Sequence, residues 1–307
     1  QVSPSAMAVF FISRKVCSSL ALLGIAASLI GLDAIPASTA AALSPHATLL
    51  RHGRRAAPRA LQTASAPSQL SQERWMLRAV SLAEKGRRTA PPNPWVGCVI
   101  VADDDRTVLA EGYHVRPGTY HAEAAALEAA RAAGVSPRAL ASSTLYCTLE
   151  PCCAGPGKRT PPCDEAIVSA GIRRVVVAQA DPDPIFGGAG LKRLRAAGVE
   201  VVLGGPGADA AAASLEPYLH QRRTKRPFCV VKTANSIDGF IGCADGSSQW
   251  ITGPEAREAS HQLRAASQAV VVGAGTALRD LPRLTWRAPE GAAWAREGAE
   301  GAPAPQP

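Results

Sequence analysis

Three pieces, Thr119-Tyr-His121-Ala-Glu123, Leu149-Glu150-Pro151-Cys152-Cys153 and Thr160-Pro-Pro-Cys163, decide how this 307-residue chain is read. An imidazole and two thiolates converging from separate helix starts make a ligand set for catalytic zinc with the fourth position open. His121, Cys152 and Cys163 are the candidate ligands, and Glu123, two residues beyond the histidine, is the candidate acid/base. Cys153 competes with its neighbour for the middle place; Cys152 is favoured because it directly follows Glu150-Pro151. Helix N-termini also favour thiolate over thiol.

Outward from these residues the pattern alternates between strand and helix. Trp75, Met76, Ala79, Val80, Leu82 and Ala83 recur at helical spacing within 72–85, and Gly86 ends the run. A strand hairpin follows, 96–101 and 108–114, turning at Asp103-Asp-Asp105. His121 opens a helix to Ala133. Strands are expected at 145–148, 173–178 and 199–203, with helices at 163–170 and 191–196. Such alternation predicts a three-layer α/β/α sheet, and helix starts just beyond strand ends collect the site at one edge. Cys98 and Cys147 fall within strand patterns and read as core residues; Cys229 and Cys243 are read the same way.

His-x-Glu, then Pro-Cys and a further Cys, is the arrangement of zinc-dependent base deaminases, in which zinc lowers the pKa of water from 15.7 to about 7. Glu123 is expected to take a proton from that water and pass it to the ring nitrogen and then to the departing ammonia. Ten residues separate Cys152 from Cys163, against two in the commonest form. A cytidine-, deoxycytidylate- or tRNA-type deaminase shares this logic with the short spacing. A non-catalytic interaction relic is the reading from another class.

Pro92-Asn-Pro-Trp-Val-Gly-Cys98, Gly112-Tyr-His114, His121-Ala-Glu123, Thr148-Leu-Glu-Pro-Cys152 and Arg159-Thr-Pro-Pro-Cys163 together resemble the deaminase half of the riboflavin biosynthesis deaminase/reductase family. The resemblance spans roughly residues 72 to 287. It implies a cytidine-deaminase-like fold and hydrolytic removal of the 2-amino group of a diaminopyrimidinone ribosylamino phosphate. It also implies zinc on His121, Cys152 and Cys163, acid/base work by Glu123, and substrate contact by Asn93. One departure is plain. The family has eight residues between its cysteines, including a histidine; here Cys153-Ala-Gly-Pro-Gly-Lys158 replaces that histidine and is longer by two. Lys158 and Arg159 are the groups left to meet the phosphate, Arg159 by bidentate contact.

A basic linker, Arg222-Arg-Thr-Lys-Arg-Pro227, leads into a second segment. There 228–232 reads as a strand, Ser236-Ile-Asp-Gly239 as a turn, 253–266 as a helix and 269–272 as a buried strand before Gly273-Ala-Gly-Thr276. Lys232, Ser236 to Gly239, Ser248, Trp250, Arg264 and Thr276 resemble the start of the family's dihydrofolate-reductase-like domain. By that likeness Trp250, Thr276 and Asp280 face a nicotinamide cofactor, and Ser248, Arg264 and Arg287 the substrate. NADPH is expected only if the reductase segment is complete. It reads as incomplete, with a tail at 288–307 rich in Gly, Ala and Pro.

Net charge is +8, but the first 72 residues hold six of the 33 basic residues and one of the 25 acids, so the remainder carries only +3. Composition therefore shows no basic face for nucleic acid. Met7, Arg14-Lys15, an apolar run from Val16 to Leu32 and the small residues at 37–40 lay out a signal peptide, and the acid-free stretch 34–72 a transit peptide. Residues 1–70 are thus expected to be a presequence addressed to a plastid, with secretion or mitochondrial import as alternatives and no membrane association after processing. The domains expected are 71–222 for the deaminase and 227–287 for the incomplete reductase-like segment. The partners expected are a pyrimidine nucleotide, with a second copy of the chain and a separate reductase as further candidates.

Overall fold

The computed structural model describes residues 7–11 as a strand and residues 68–155, 161–183 and 187–292. All of them belong to one of the chain's two compact units, Gln1–Ser13 with Ala66–Pro307.

Helix α1, Gln69–Gly86, starts where the Ser68 hydroxyl accepts the Ser71 amide, so the fold begins slightly ahead of the expected boundary at residue 71. Strands β2 (Gly97–Val101) and β3 (Val108–Tyr113) form the hairpin, which turns at Asp105 in a left-handed conformation. Helices α2 (Ala122–Ala132) and α3 (Pro137–Ser142) lead to β4 (Thr144–Cys147). Then come α4 (Cys163–Ser169), β5 (Arg174–Val177), α5 (Ala189–Ala196), β6 (Glu200–Leu203) and α6 (Ala208–Thr224). The strands form one sheet in the order β3-β2-β4-β5-β6, antiparallel across β3-β2-β4 and parallel from β4 to β6.

The strand residues divide by parity, as a period of two demands. Cys98, Ile100, Leu145, Cys147, Val175 and Val177 share a core with the alanine face of α2 and with Ile167, Leu191 and Leu194. Val99, Val101, Tyr146 and Val176 share another with Trp75, Met76, Ala79 and Leu82 of α1 and Ala211 of α6. Both faces are covered, which is the expected three-layer arrangement.

Two helices escaped the sequence reading. Helix α3 is too short to show a period. Helix α6 holds a run of alanines and an internal Pro217, yet buries Ala211, Leu215, Tyr218 and Leu219. It also corrects the linker: Arg222, Arg223 and Thr224 are helical, and Lys225 ends the helix in a left-handed conformation.

The second segment holds β7 (Phe228–Val231), α7 (Pro254–Ala265), β8 (Ala269–Val272) and α8 (Ala274–Asp280). Here two expectations fail. Strand β8 is not buried: its residues alternate between exposed and half-buried. Cys229 and Cys243 are exposed rather than core residues, the first on the open face of β7 and the second in a turn-rich loop. Strand β1, Met7–Phe11, drawn from the stretch read as a presequence, pairs in parallel with β7 on one side and β8 on the other. The rest of residues 1–67 and of the tail beyond 292 lies outside the described residues. Among the described residues no helix is long and apolar enough to cross a membrane.

Candidate active site

The site forms beyond the C-terminal end of β4, where two helices begin. His121 is the N-cap of α2, with extended backbone, so its ring stands outside the helix while Glu123 enters the first turn. How deep both residues sit is set by Gly112 on β3: a Cβ there would collide with the Ala122 carbonyl and the Ala126 amide of α2. Glycine and the buried alanines 122, 126 and 130 let helix and strand touch backbone to backbone. Cys152 lies in the loop after β4 and Cys163 is the first residue of α4; the Asp164 amide donates to the Cys152 carbonyl at 3.1 Å, tying the two together.

The Cys152 and Cys163 sulfurs stand 3.2 and 3.6 Å from His121 Nδ1, and all three ligand atoms lie within 4.8 Å of one another. A tetrahedral centre with Zn–S near 2.3 Å and Zn–N near 2.0–2.1 Å requires edges of about 3.5 Å, so this donor set fits zinc. Cys153 is buried but outside the converging trio, and the geometry selects Cys152. Glu123 is 3% exposed. Burial, reinforced by the charge on Cys152, pushes its carboxyl up to about 7, against the opposing pull of His121, a backbone amide and Cys163.

Asn93 reaches the site through a residue to which the sequence reading gave no role. His114 is buried, with Nδ1 2.9 Å from the Tyr120 carbonyl oxygen and Nε2 3.1 Å from Asn93 Nδ2. A carbonyl only accepts, so Nδ1 carries the proton and Nε2 accepts from the Asn93 amide. Burial holds the His114 pKa below its usual value, which favours this neutral tautomer. Its ring also meets that of His121 edge-on at 5.2 Å. The Gly112-Tyr-His114 signature carried the signal, but the partner lies 21 residues away and only the fold shows it. Below, Cys98 and Cys147 are register partners on β2 and β4. Both are buried, and burial pushes both thiols up, in keeping with core residues. Lys158 and Arg159 lie outside the described residues.

In the second segment Ser248, Trp250, Arg264, Asp280 and Arg287 line one cavity of about 700 Å³; Thr276 is not among its lining residues. Arg257 lies 4.4 Å over the Trp250 ring. Burial together with the Arg287 charge lowers the Arg264 pKa, and the Arg287 amide donates to His261 Nδ1 at 3.1 Å.

Residues 70–179 match the family model of the cytidine and deoxycytidylate deaminase zinc-binding region, and residues 227–302 that of the RibD C-terminal domain. The riboflavin biosynthesis protein RibD of Chlamydia pneumoniae is 44% identical over 217 residues, covering 71% of this chain and 55% of that protein. RibD of Escherichia coli is 43% identical over 218 residues, covering 71% and 56%. Among solved structures, Acinetobacter baumannii RibD superposes with a TM-score of 0.65 at 40% identity, covering 73% of this chain and 60% of that one. The Thermotoga maritima diaminohydroxyphosphoribosylaminopyrimidine deaminase/5-amino-6-(5-phosphoribosylamino)uracil reductase gives the same score and identity, covering 73% and 61%. The chain thus spans little more than half the length of the relatives it matches. With a zinc-binding deaminase region and a RibD C-terminal region in one order along one chain, it belongs to the riboflavin biosynthesis deaminase/reductase family.

Proposed function

We propose that this chain catalyses the zinc-dependent hydrolytic deamination of 2,5-diamino-6-(5-phosphoribosylamino)pyrimidin-4(3H)-one in riboflavin biosynthesis. The observation that carries the reading is the meeting of His121, Cys152 and Cys163 at metal spacing beside a buried Glu123 whose carboxyl is pushed up to about 7. Zinc, when held there, supplies Lewis acidity that makes water nucleophilic at neutral pH. Glu123 accepts the proton of the attacking water and delivers it first to the ring nitrogen and then to the amine. The carbon–nitrogen bond breaks and ammonia leaves. A buried carboxyl beside the ligands is placed to accept a proton and return it within one turnover. Asn93, its amide fixed by His114, keeps its carbonyl oxygen for the edge of the pyrimidinone. Lys158 and Arg159 are the proposed contacts to the phosphate. The test is turnover by the zinc-loaded protein on the diaminopyrimidinone phosphate against cytidine nucleotides and RNA. Ammonia release only from the latter would refute the reading.

We infer, too, that residues 228–292 do not by themselves carry out the reduction. Hydride transfer needs cofactor and ribose held in one fixed cleft. In support, Ser260 is the one buried residue within 228–292. Trp250, proposed to face a nicotinamide, is 71% exposed. Sustained NADPH oxidation with the deaminated substrate would count against this.

For location we propose import into a plastid through a signal peptide followed by a transit peptide. The support is the layout of residues 7–72: a basic pair, an apolar run, then an arginine-containing stretch without acids. Residues 7–72 fused to a fluorescent protein should reach plastids of an algal host; fluorescence left in the cytosol would refute it.

A further inference from the structure

Ten residues lie between the two thiolate ligands, so apart from the Asp164–Cys152 backbone bond the chain between them leaves their separation loosely set. Both are nevertheless referred to one helix. Glu150, two residues before Cys152, is buried, and its carboxylate bonds the start of α5. Glu150 Oε2 accepts the Asp181 amide at 3.1 Å and the Gly188 amide at 2.9 Å, and Oε1 accepts the Leu191 amide at 3.3 Å. Two of those three donors belong to the start of α5, whose first-turn amides have no partner within the helix. The peptide that follows is pressed on the same helix, for a Cβ at Gly190 would collide with the Pro151 carbonyl oxygen.

The other ligand is held from further along the helix. Asp164, directly after Cys163, is buried, and its Oδ2 lies 2.9 Å from Arg193 Nε of α5, an ion pair whose angle falls short of a hydrogen bond. Arg193 also reaches Glu165 at 2.7 Å. One end of α5 thus grips the Cys152 loop through Glu150 and Gly190, and its middle grips the start of α4 through Arg193.

We infer that α5 is a brace that holds Cys152 and Cys163 at metal spacing, with Glu150 and Arg193 as positioning residues that touch neither metal nor substrate. The inference rests on the zinc reading above and deepens it. Groups bonded directly to a ligand typically cost about 10- to 100-fold in metal affinity when removed; Glu150 and Arg193 act through residues next to the ligands, which places them at the low end of that range. Coupling between two sites is also reciprocal: if α5 sets the ligands, bound zinc must steady α5.

The experiment uses the full chain. Zinc stoichiometry of the wild-type protein comes first, by competition with a chromophoric chelator; a protein that binds none refutes the zinc reading, and this inference with it. In a protein that binds one zinc, Glu150→Gln, which keeps the shape and removes the charge, is expected to weaken zinc about tenfold or more, and Arg193→Ala by a similar factor. Arg78→Ala is the control. It breaks the Arg78–Glu111 ion pair, also at 2.7 Å but between α1 and β3, and should leave zinc affinity within twofold. Equal zinc affinity in Glu150→Gln, Arg193→Ala and the control would overturn the brace while leaving the zinc site standing. Should a variant fail to fold, hydrogen exchange of the wild type decides. Zinc loading is expected to slow exchange at the Asp181, Gly188 and Leu191 amides about tenfold, and unchanged exchange there would overturn the inference.

Discussion

Residues 69–224 and residues 228–292 are built from the same alternation of strand and helix, yet only the first is closed. Among the described residues every buried apolar side chain lies between Trp75 and Leu219. In the second segment Val231, on β7, is 57% exposed, and Phe240, in the loop that follows, 62%. The difference lies in coverage. A five-stranded sheet with helices on both faces removes both parities of every inner strand from water. In the three-stranded sheet β7-β1-β8, residues of β7 and β8 alternate between half-buried and exposed. A site that must hold three ligands within a few ångströms needs the first kind of support. Five of the six side chains proposed for the second site line one cavity, but among residues 228–292 only Ser260 is buried beneath them.

The largest expected effect is on the chemistry of the first region. Glu123→Gln should cut deamination by about 10² to 10⁴-fold while zinc content stays at the wild-type level, since the carboxyl is not a ligand. Rates and zinc measured on the same sample check this, and a parallel loss of metal would mean that Glu123 supports the site rather than the reaction.

The next test is at the two cores. Leu145 is fully buried in β4 and Leu278 is 79% exposed on α8. Leu145→Ala should cost about 2–5 kcal/mol of unfolding free energy. Leu278→Ala should stay within about 0.5 kcal/mol, as exposed positions do. Urea titrations followed by tryptophan fluorescence give both numbers, and equal costs would mean that the second segment has a core after all.

Strand β1 offers a further, smaller test. Removing residues 1–66 takes no strand from the five-stranded sheet but takes the middle strand from the other. Zinc binding and the main unfolding transition should be unchanged, while amides of 228–231 and 269–272 lose hydrogen-exchange protection. Unchanged protection there would show that β7 and β8 do not depend on Met7–Phe11.

What was legible in the sequence follows the same divide. The meeting of His121, Cys152 and Cys163, the buried Glu123 beside them and all five strands of the large sheet could be read because local signals agreed: apolar runs of strand length, glycine at helix ends, a histidine before alanines. Helix α6 could not be read, because Pro217 and a polyalanine run hide a face that only packing defines. His114 and Glu150 were visible as letters of motifs, but their roles depend on partners 21 to 41 residues away. The cysteines at 229 and 243 were misread because a free cysteine packs as a small hydrophobe only where a core exists.

The smallest expected effect lies at the outer layer of the first region, on Asp181. Its amide serves Glu150, while its carboxylate accepts from the Asp183 amide at 2.9 Å and from the Tyr218 hydroxyl at 3.3 Å. Burial is the largest influence and pushes the carboxyl up; the Asp183 charge adds to it, and the two hydrogen bonds and Arg222 oppose it without cancelling it. The folded protein therefore holds this proton more tightly than the unfolded chain, whose aspartates titrate near about 3.9. More protons bound in the folded state means that stability falls as pH rises. The contribution is fully present below about pH 3.9 and is lost as pH climbs through the raised folded value. Asp181→Asn carries no proton to lose, so relative to it the wild type should be at its best at acid pH and decline toward neutrality. Urea midpoints of both proteins, zinc-free so that metal release does not intrude, would show the difference between them shifting in favour of the variant as pH rises. A shift in the opposite sense would mean that the Tyr218 and Arg222 contacts outweigh burial and that the folded state prefers Asp181 ionised.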